Sequence, residues 1–508
     1  MLLSAPIWAQ EIQRQPLDLA PSVAGSFAEF RHHHLHSGVD LRTGGKEGFP
    51  VYAVADGWLR RMVIRPDGFG WALYIDHPSG YTSVYAHMSG FKDDWFREAM
   101  RQASARQQYK LDLHFKAGQF PIQAGDIIGH SGNSGGSSGP HLHFEWRDRK
   151  TEQPLNPVTF GLMCPDRYAP WIKGIFARQN GQWALIRKPK SGAIESTITI
   201  RGWEDLALDV YDYMEPKGRP LGLKYMEVYI DDVLINRFEV SRFHFSESRA
   251  SDHLMHFEVH QQYGKRAVRL APWKYGAKFW SQPYVDLSPG THRVKIRAVD
   301  QGDNASTIAF PVMVQPQSQH AYSSAASAKS GTMSASWDGH NIKPDQKLVL
   351  SDGPQAQTWR ANGHFPFTQA ISYHWHKSAG WTYPARQTVL IITDYRGNRS
   401  RIAGKAVGGD KVQFRSKNWG HLNIIADTEA PQHKRTYHAE GFTCLVIEDE
   451  HMDTRILRVE VNGKWVWADY DAKSGTLKVP AQPQDGIKVV VEDECENRST
   501  FTILPKLP

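Results

Sequence analysis

Cysteine is scarce in this sequence, and long apolar runs are missing. Three cysteines, Cys164, Cys444 and Cys495, occur among 508 residues, so at most one disulfide can form and a disulfide-rich scaffold is excluded. They are too scattered for a thiolate zinc site, which requires closely paired cysteines. No segment approaches the roughly 20 apolar residues that a membrane-spanning helix needs. With 40% hydrophobic and 22% charged residues, the composition is that of a globular chain, and its length predicts several domains.

The sequence also lacks a concentrated basic patch. Its formal net charge is +7, but the lysines and arginines are spread along the chain without long runs. The charge favours an anionic partner, and the absence of basic runs disfavours nucleic acid. The first residues, MLLSAPIWAQ, are apolar and include the small residue Ala9. They are interpreted as the tail of a secretory signal or, alternatively, as a disordered terminus.

One motif recurs after Cys164. An alternating apolar strand is followed by Asp, three residues, Asn, one residue and Ser, and then by a second strand, at Ile296–Ala309, Leu390–Ala403 and Val489–Ile503. Asp and Asn suit tight turns because their side chains bond nearby backbone groups. The copies lie roughly 95 to 100 residues apart, which is the length of one β-sandwich domain. The repeat therefore predicts about three such modules.

Two further repeated elements support this modular interpretation. Tyr225–Ile235 and Leu457–Val466 both alternate apolar and polar residues around a two-residue turn, and Asn462-Gly463 is a strong hairpin signal. Asp-x-x-Ala-Pro occurs at Asp166–Pro170 and again at Asp427–Pro431. The modules resemble the bacterial immunoglobulin-like modules often appended to envelope enzymes. The predicted boundaries are 1–24 for an N-terminal segment, 25–164 for a first domain, and 165–315, 316–426 and 427–508 for three β-sandwich modules, the first with an insertion around His244–Tyr275.

Four segments before Cys164 carry the residues that could perform chemistry. They are RHHHLHSGVDL at Arg31–Leu41, GYTSVYAHMS at Gly80–Ser89, the glycine-rich GDIIGHSGNSGGSSG at Gly125–Gly139, and PHLHFE at Pro140–Glu145. The last of these alternates apolar and polar residues, which predicts a strand. Side chains two apart on a strand share a face, so His141 and His143 are expected to point together.

These residue types suit a catalytic metal site. In His36-x-Gly-x-Asp40 the glycine allows a close approach of the chain, and His and Asp are both competent zinc ligands. Two histidines and one aspartate leave a fourth tetrahedral position for water, which distinguishes a catalytic zinc from a structural one. Zinc lowers the pKa of that water to about 7 and polarises a scissile carbonyl. One of His141 and His143 could bind the metal, while the other joins His87 as general base or as donor to the oxyanion.

Each of these patterns has a simpler interpretation when it stands alone. A His-x-His on a strand is usually a surface or packing feature, and His-x-Gly-x-Asp is frequent by chance. We expect His32, His33 and His34 to be solvated or to support the ligands, and His77 and His130 to be exposed. Chance does not explain the joint occurrence of the motifs, in one order, over about 110 residues.

Together the segments resemble the lysostaphin-type, LytM-like zinc metallopeptidases. The resemblance rests on His36-x-Gly-x-Asp40, Tyr85-Ala-His87 and Gly139-Pro-His-Leu-His-Phe-Glu145, and it covers about residues 25–160. It implies that the ligands of one zinc ion per chain are His36, Asp40 and His143, and that the catalytic residues are His87 and His141. The expected fold class is mainly β: an antiparallel LytM-like metallopeptidase domain followed by about three immunoglobulin-like β-sandwich modules.

One segment departs from compact members of that family. Phe91–Lys116 stands where those proteins have a short turn, and apolar residues recur at helical spacing within Asp93–Gln108, which predicts an amphipathic helix. Because the helix follows His87 closely, it is interpreted as one wall of the substrate groove. The alternative is a packing insertion remote from substrate.

Two features of the C-terminal modules are open to alternatives. The aromatic cluster Tyr373, Trp375, Trp381 and Tyr383 could stack on sugars, although aromatic residues more often fill sandwich cores. Cys444 and Cys495 could pair in an oxidising envelope. Free thiols are favoured, because a strand centre and a turn tip need not come within disulfide distance.

The predicted function is zinc-dependent hydrolysis of the peptide cross-links of bacterial peptidoglycan. The resemblance implies this substrate and a place in the cell envelope, periplasmic or exported, and a polyanionic wall also suits the net charge. Some members of the family have lost ligands and act as non-enzymatic amidase activators, but every motif position is present here. The alternative functions are a general metalloprotease and a binding or activator protein of the envelope.

Overall fold

The structure is a computed structural model that describes residues 11–31, 34–215, 218–272, 274–316, 327–337, 348–353, 355, 357–362, 370–394 and 397–505. The possible signal remnant and the pair His32 and His33 lie outside these residues. The chain is mainly β, as predicted, and it divides into two compact units: Met1–Phe96 with Asp112–Gln319, and Arg97–Leu111 with His320–Pro508. None of the described helices could cross a bilayer, because none is both long and apolar enough.

The N-terminal domain is built on an antiparallel sheet of eleven strands, with the central order β1-β4-β12-β8-β7-β6-β10. The elements are β1 Val23–Gly25, β2 Phe30–Arg31, β3 His34–Leu35, β4 Val39–Arg42, β5 Pro50–Tyr52, β6 Gly57–Ile64, β7 Trp71–Asp76, β8 Tyr81–Phe91, helix α1 Asp93–Arg106, β9 Leu111–His114, β10 Pro121–Ile122, β11 Ile127–Ser131, β12 His141–Asp148, β13 Pro154–Leu155 and a 3₁₀ helix at Pro157–Phe160. All six residues of β7 are buried, so this strand is covered on both faces and its sequence WALYID is nearly continuous in apolar residues.

Strand register brings the predicted site residues onto one face of this sheet. In the pairing of β12 with β4, His143 lies opposite Asp40 and His141 lies opposite Arg42. On its other edge β12 pairs with β8, where His143 lies opposite Ala86. Residues directly opposite each other in a sheet share a face, so the register alone places Asp40 beside His143.

The helix predicted within Asp93–Gln108 is α1, Asp93–Arg106. Its buried side chains include Trp95, and the ring of Phe96 stacks on Trp71 of β7 with centroids 5.8 Å apart. The segment after the helix belongs to the second compact unit. There the Tyr109 hydroxyl accepts a hydrogen bond from the Val459 amide at 2.6 Å.

The first C-terminal module contains two sheets, of order β15-β14-β17-β20 and β16-β22-β21-β18-β19. Its strands are β14 Trp171–Gln179, β15 Gln182–Arg187, β16 Ile198–Ile200, β17 Leu206–Tyr211, β18 Tyr225–Ile230, β19 Val233–Glu239, β20 Val268–Arg269, β21 Gly290–Val299 and β22 Ala305–Val314. Short helices lie between β19 and β21: α2 Ser251–Leu254, α3 Phe257–Tyr263 and 3₁₀ helices at Phe245–Ala250 and Lys274–Phe279, while a further 3₁₀ helix spans Trp203–Asp205.

The two following modules also contain two sheets each. Their strands are β23 Ser327–Ser330, β24 Met333–Ser336, β25 Val349–Asp352, β26 Thr358–Asn362, β27 Ile371–His376, β28 Thr388–Thr393, β29 Arg399–Ala403, β30 Lys405–Ala406, β31 Lys411–Ser416, β32 His421–Ala426, β33 Gln432–Ala439, β34 Phe442–Glu448, β35 Arg455–Val461, β36 Lys464–Trp465, β37 Asp469–Asp471, β38 Thr476–Val479, β39 Ile487–Glu492 and β40 Arg498–Ile503, with a 3₁₀ helix at Ala385–Gln387. In the last module Leu445 and Leu477 of one sheet share a core with Val459 and Val489 of the other. The domain boundaries and the immunoglobulin-like topology stay predictions.

The repeated sequence elements form hairpins. Asp231 and Asp232 join β18 to β19, and Asn462-Gly463 joins β35 to β36, all four with positive φ between 48° and 79°, as a two-residue turn of this kind requires. The Asp-x₃-Asn motif connects β21 to β22, β28 to β29, and β39 to β40, which are antiparallel neighbours in each case.

The C-terminal aromatic cluster contributes to a core. Tyr373 and Trp375 are fully buried, and Trp381 packs edge-on against Trp375 with ring centroids 5.1 Å apart. The ring faces of Tyr373 and Trp375 are therefore not available to a sugar, whereas Tyr383 is exposed. Cys444 and Cys495 are both free and buried, which confirms the expectation of free thiols.

Candidate metal centre

Three ligand atoms from distant parts of the sequence converge within the N-terminal domain. The His36 Nε2 atom lies 3.0 Å from Asp40 Oδ1 and 3.1 Å from His143 Nδ1, and the latter two atoms are 2.8 Å apart. All three side chains are buried. His36 precedes β4, Asp40 lies on β4 and His143 lies on β12, so the sheet holds two of the three.

Outer hydrogen bonds fix which nitrogen of each histidine faces the centre. His36 Nδ1 lies 2.8 Å from the carbonyl oxygen of Ser26, and His143 Nε2 lies 2.8 Å from Glu145 Oε1. A neutral imidazole has one donor nitrogen and one acceptor nitrogen. Each ring therefore donates outward, and both inward nitrogens carry lone pairs directed at the Asp40 carboxylate. Three converging acceptors repel one another unless a cation or a proton lies between them.

The donor set fits zinc. Two imidazole nitrogens and one carboxylate oxygen are the ligand types of a catalytic zinc site, and each ligand is held by a second hydrogen-bonding partner, as such sites require. Burial opposes the charging of His143, yet its hydrogen bonds to Asp40 and Glu145 outweigh burial and raise its pKa to about 9. The raised pKa favours a proton on His143 in the absence of a metal ion, and this proton would have to leave for a metal ion to bind.

Gly38 permits the close approach of β12. A Cβ atom at this position would lie 2.3 Å from the carbonyl oxygen of Phe144 and 3.0 Å from His143 Nε2. Any side chain would therefore push β4 and β12 apart at the point where Asp40 and His143 meet. Glycine at this position therefore avoids a clash with the backbone of β12.

His87 reaches the site through a β-bulge. Two steps along β7, from Trp71 to Leu73, face three steps along β8, from Met88 back to Tyr85, and His87 has a φ of 60°. A bulge turns a side chain away from the regular alternation. The His87 ring lies 4.9 Å from His141 and 5.8 Å from His143, measured between centroids. The structure thus brings together all five predicted site residues.

The glycine-rich segment Gly125–Gly139 orients the two remaining histidines. His87 Nδ1 donates to the carbonyl oxygen of Ser134 at 2.8 Å, and His141 Nδ1 donates to that of Gly139 at 2.8 Å. Both rings therefore keep Nε2 as a free acceptor, and that of His141 lies 3.4 Å from Asp40 Oδ1. Burial lowers the pKa of His87 to about 3, so its neutral form is the resting one.

Several supporting residues were not predicted from the sequence. Arg31 forms an ion pair with Asp40 Oδ2 at 2.5 Å. Glu145 is fully buried and accepts from His143 through one oxygen and from Arg147 through the other. Glu145 lies two residues after His143 in PHLHFE, so strand alternation could have placed both on one face. The contact between His87 and Ser134 could not be predicted, because Ser134 acts through its backbone carbonyl and any residue type supplies that group.

Replacing Glu145 by glutamine should weaken metal binding. The variant loses the charge that orients His143, and loss of such a partner typically lowers metal affinity by about 10- to 100-fold. Competition with a zinc chelator measures this change. Glu152→Gln is the matched control, because Glu152 also contacts Arg147, at 3.4 Å, but is not placed on any of the three ligands. Equal effects of the two substitutions would contradict the assigned role.

The other histidines that the structure describes in this domain lie outside the centre. His34 and His130 are exposed, as expected. The expectation for His77 was wrong: it is buried, and its ring nitrogens contact the Asp56 carbonyl oxygen and the Ser83 hydroxyl, both at 2.8 Å. The ring also stacks on Trp146. His77 is therefore part of a core. The prediction of exposure was wrong because two hydrogen bonds satisfy both ring nitrogens, which allows the side chain to be buried despite its turn-like sequence.

Comparisons with known proteins match this part of the chain. The model of peptidase family M23 matches residues 34–97 and 107–157. The DD-carboxypeptidase/endopeptidase Mpg of Neisseria meningitidis serogroup B (strain ATCC 13091 / M2091) is 33% identical over 132 residues, covering 26% of this chain and 24% of that protein. An uncharacterized metalloprotease of Haemophilus influenzae is 30% identical over 155 residues, covering 29% and 27% of the two chains.

Among solved structures, a zinc-containing peptidase from Vibrio cholerae is similar over 30% of this chain and 40% of its own, at 27% identity and a TM-score of 0.22. The matched region spans about a quarter of the length of the curated relatives. The match to the family model confirms the resemblance of the N-terminal domain to the LytM-like peptidases over residues 34–97 and 107–157.

Proposed function

Because residues 34–97 and 107–157 match the model of peptidase family M23, we propose that the chain is a zinc-dependent endopeptidase that hydrolyses the peptide cross-links of bacterial peptidoglycan. The observation that carries the proposal is the convergence of the His36, Asp40 and His143 ligand atoms within 3.1 Å of one another. The adjacent pair of histidines, His87 and His141, supports catalysis as opposed to metal storage. The proposed location is the cell envelope, periplasmic or exported.

The metal and the histidines have separate roles in this proposal. His36, Asp40 and His143 hold the zinc ion, which when bound acidifies a water molecule and polarises the scissile carbonyl. His87 and His141 present Nε2 lone pairs beside this site, because backbone carbonyls hold their Nδ1 protons. One ring accepts the proton of the attacking water and passes it to the leaving amine. The other, when protonated, donates to the oxyanion of the tetrahedral intermediate.

Two alternative functions make different demands on the same residues. A non-enzymatic activator needs no converging ligand set, whereas here the three ligand side chains are buried and each has an outer partner. A general metalloprotease would use the same centre on unfolded protein. The family match and the name of the Neisseria relative, a DD-carboxypeptidase/endopeptidase, favour peptidoglycan peptides.

Digestion of isolated sacculi tests the substrate and the bond. The purified full chain with zinc should convert cross-linked muropeptide dimers to monomers, read by mass spectrometry after glycan digestion. A chelator should abolish the conversion, and added zinc should restore it, since the ligand set contributes nothing without the metal. The His141→Ala variant, prepared identically, controls for contaminating hydrolases.

Three results would contradict the proposed function. Release of terminal D-alanine with no loss of dimers would assign a carboxypeptidase. Cleavage of denatured casein with intact dimers would assign a general protease. An activator would leave sacculi unchanged at any zinc concentration while stimulating an added amidase.

A further inference from the structure

Two groups of three aspartates lie outside the metal centre, one in the first C-terminal module and one in the last. The groups are Asp166, Asp212 and Asp300, and Asp427, Asp449 and Asp493. In each group one carboxylate oxygen from every member lies within 4.8 Å of those of the other two. We refer to them as the first and second aspartate trios.

The two trios occupy corresponding places in the fold. One member of each opens an Asp-x-x-Ala-Pro segment ahead of the module's first strand, at Asp166 and Asp427. A second directly follows a strand, with Asp212 after β17 and Asp449 after β34. The third is the aspartate of the repeated turn motif, Asp300 after β21 and Asp493 after β39. One arrangement is thus built twice within the part of the chain that the structure describes.

The hydrogen bonds around the turn members are also repeated. Asp300 Oδ1 accepts from the Asn304 amide at 2.9 Å, and Asp493 Oδ1 accepts from the Asn497 amide at 2.9 Å. Each asparagine side chain then donates to the other carboxylate oxygen, at 3.0 and 2.8 Å respectively. These bonds hold the carboxylates in place, but they do not balance the charge of the trio.

Several oxygens in the trios remain without a partner. Asp212 is 1% exposed, and its Oδ1 atom has no hydrogen-bond partner among the described residues. Asp427 Oδ2 and Asp166 Oδ2 likewise have no such partner. Asp427 is also 1% exposed, and its carboxyl group shares a hydrogen bond with the Cys495 thiol. Within the described part of the chain, none of the six carboxylates forms an ion pair with Lys, Arg or His. Burying carboxylates together without a counter-charge is strongly unfavourable.

We propose that each trio binds one oxygen-liganded divalent cation of the calcium class. Calcium takes 6–8 oxygen ligands at about 2.3–2.6 Å, so two oxygens on opposite sides of the ion are roughly 5 Å apart. Carboxylate oxygens that all lie within 4.8 Å of one another are close enough to contact one such ion together. The all-carboxylate ligand set separates these sites from the His-containing zinc centre, since zinc favours nitrogen and sulfur ligands.

Both sites lie where a module meets the segment before it. Gln301, in the turn of the first trio, accepts a hydrogen bond from the buried Asn156 of the peptidase domain at 2.8 Å. Asn497, in the turn of the second, accepts from Gln387 beside the middle module's strand β28 at 3.0 Å. A cation that joins the module's first residues to this turn stiffens each junction.

A shared proton is the competing way to neutralise a trio. Burial, together with Asp166 and Asp300, raises the pKa of Asp212 to about 8. A proton on Asp212 would satisfy one oxygen of the first trio without any metal. A cation site binds added calcium and a shared proton does not, so a calcium titration distinguishes the two.

Calcium titration of the full chain tests the proposal. Protein stripped with EGTA and returned to one equivalent of zinc is titrated with CaCl₂ by calorimetry, with MgCl₂ in a parallel experiment. Wild type should bind two calcium ions. Asp212→Asn and Asp427→Asn should each lose one, with affinity at the altered site reduced at least tenfold. Asp394→Asn is the matched control, because Asp394 occupies the same turn motif but belongs to no trio in the described residues, and it should keep both ions.

Thermal unfolding provides a second readout. Calcium should raise the Tm of wild type, and each trio variant should show a smaller rise. Two results overturn the proposal: a wild type that neither binds calcium nor shifts its Tm, or binding of two ions by all four proteins. If Asp212→Asn raises the Tm equally with and without calcium, a shared proton neutralises the trio.

Discussion

Replacing His143 by alanine should remove zinc from the protein and abolish peptide hydrolysis. Zinc binding to a complete four-ligand site is worth about 10–16 kcal/mol, so one of its ligands contributes roughly 3–4 kcal/mol, or a several-hundredfold change in affinity. His143 also sits at the centre of the site, 2.8 Å from Asp40 and 3.1 Å from His36. Its loss also leaves Glu145 buried without the imidazole partner.

The measurement is zinc content after dialysis, together with dimer cleavage in sacculi. His130→Ala is a suitable control, because His130 lies in the same domain on β11 and is exposed. The control should retain one zinc per chain and full activity. A His143→Ala protein that is folded and keeps tightly bound zinc would refute the ligand assignment.

Replacing His141 by alanine should leave zinc bound to the protein, unlike the replacement of His143, but should also cause a large loss of turnover. His141 lies two residues before His143 on β12, but its Nδ1 donates to the Gly139 carbonyl and its Nε2 is 3.4 Å from Asp40. It is beside the centre and is not one of the three converging atoms. General acid–base groups typically contribute about 10²–10⁴ in rate, so kcat should fall by that factor.

The His141→Ala and His143→Ala variants serve as controls for each other, because the two residues are neighbours on the same face of β12. Zinc content separates them, and activity does not. Loss of zinc from His141→Ala with retention in His143→Ala would mean that the two roles are exchanged. Retention in both would place the metal elsewhere in the domain.

The sequence allowed the arrangement of the site to be predicted wherever strand alternation applies. His141 and His143 share a face because they are two apart on β12, and pairing with β4 then places Asp40 opposite His143. The spacing of the motifs therefore predicted which of these side chains share a face of the sheet. The hairpin at Asn462-Gly463 was predictable for a similar reason, since few residues tolerate positive φ at both turn positions.

Other parts of the site depend on features without a side-chain signature. The bulge that redirects His87 follows from a register shift between β7 and β8, which local sequence does not specify. The carbonyls of Ser134 and Gly139 act through the backbone, so any residue type would supply the same atom. His77 was expected to be exposed and is buried, because its two hydrogen-bond partners, Asp56 and Ser83, come from other positions along the chain.

The backbone carbonyls of Ser134 and Gly139, which orient both catalytic histidines, limit where the chain can gain or lose residues. Ser134 and Gly139 lie five positions apart on one segment, and β12 begins at His141 directly after it. Side chains on a strand alternate between its two faces. Inserting or deleting one residue between Gly139 and His141 would therefore shift β12 relative to the segment that carries these carbonyls. Loop-length libraries and natural insertions should therefore be absent between residues 134 and 141, whatever residue types occupy that segment.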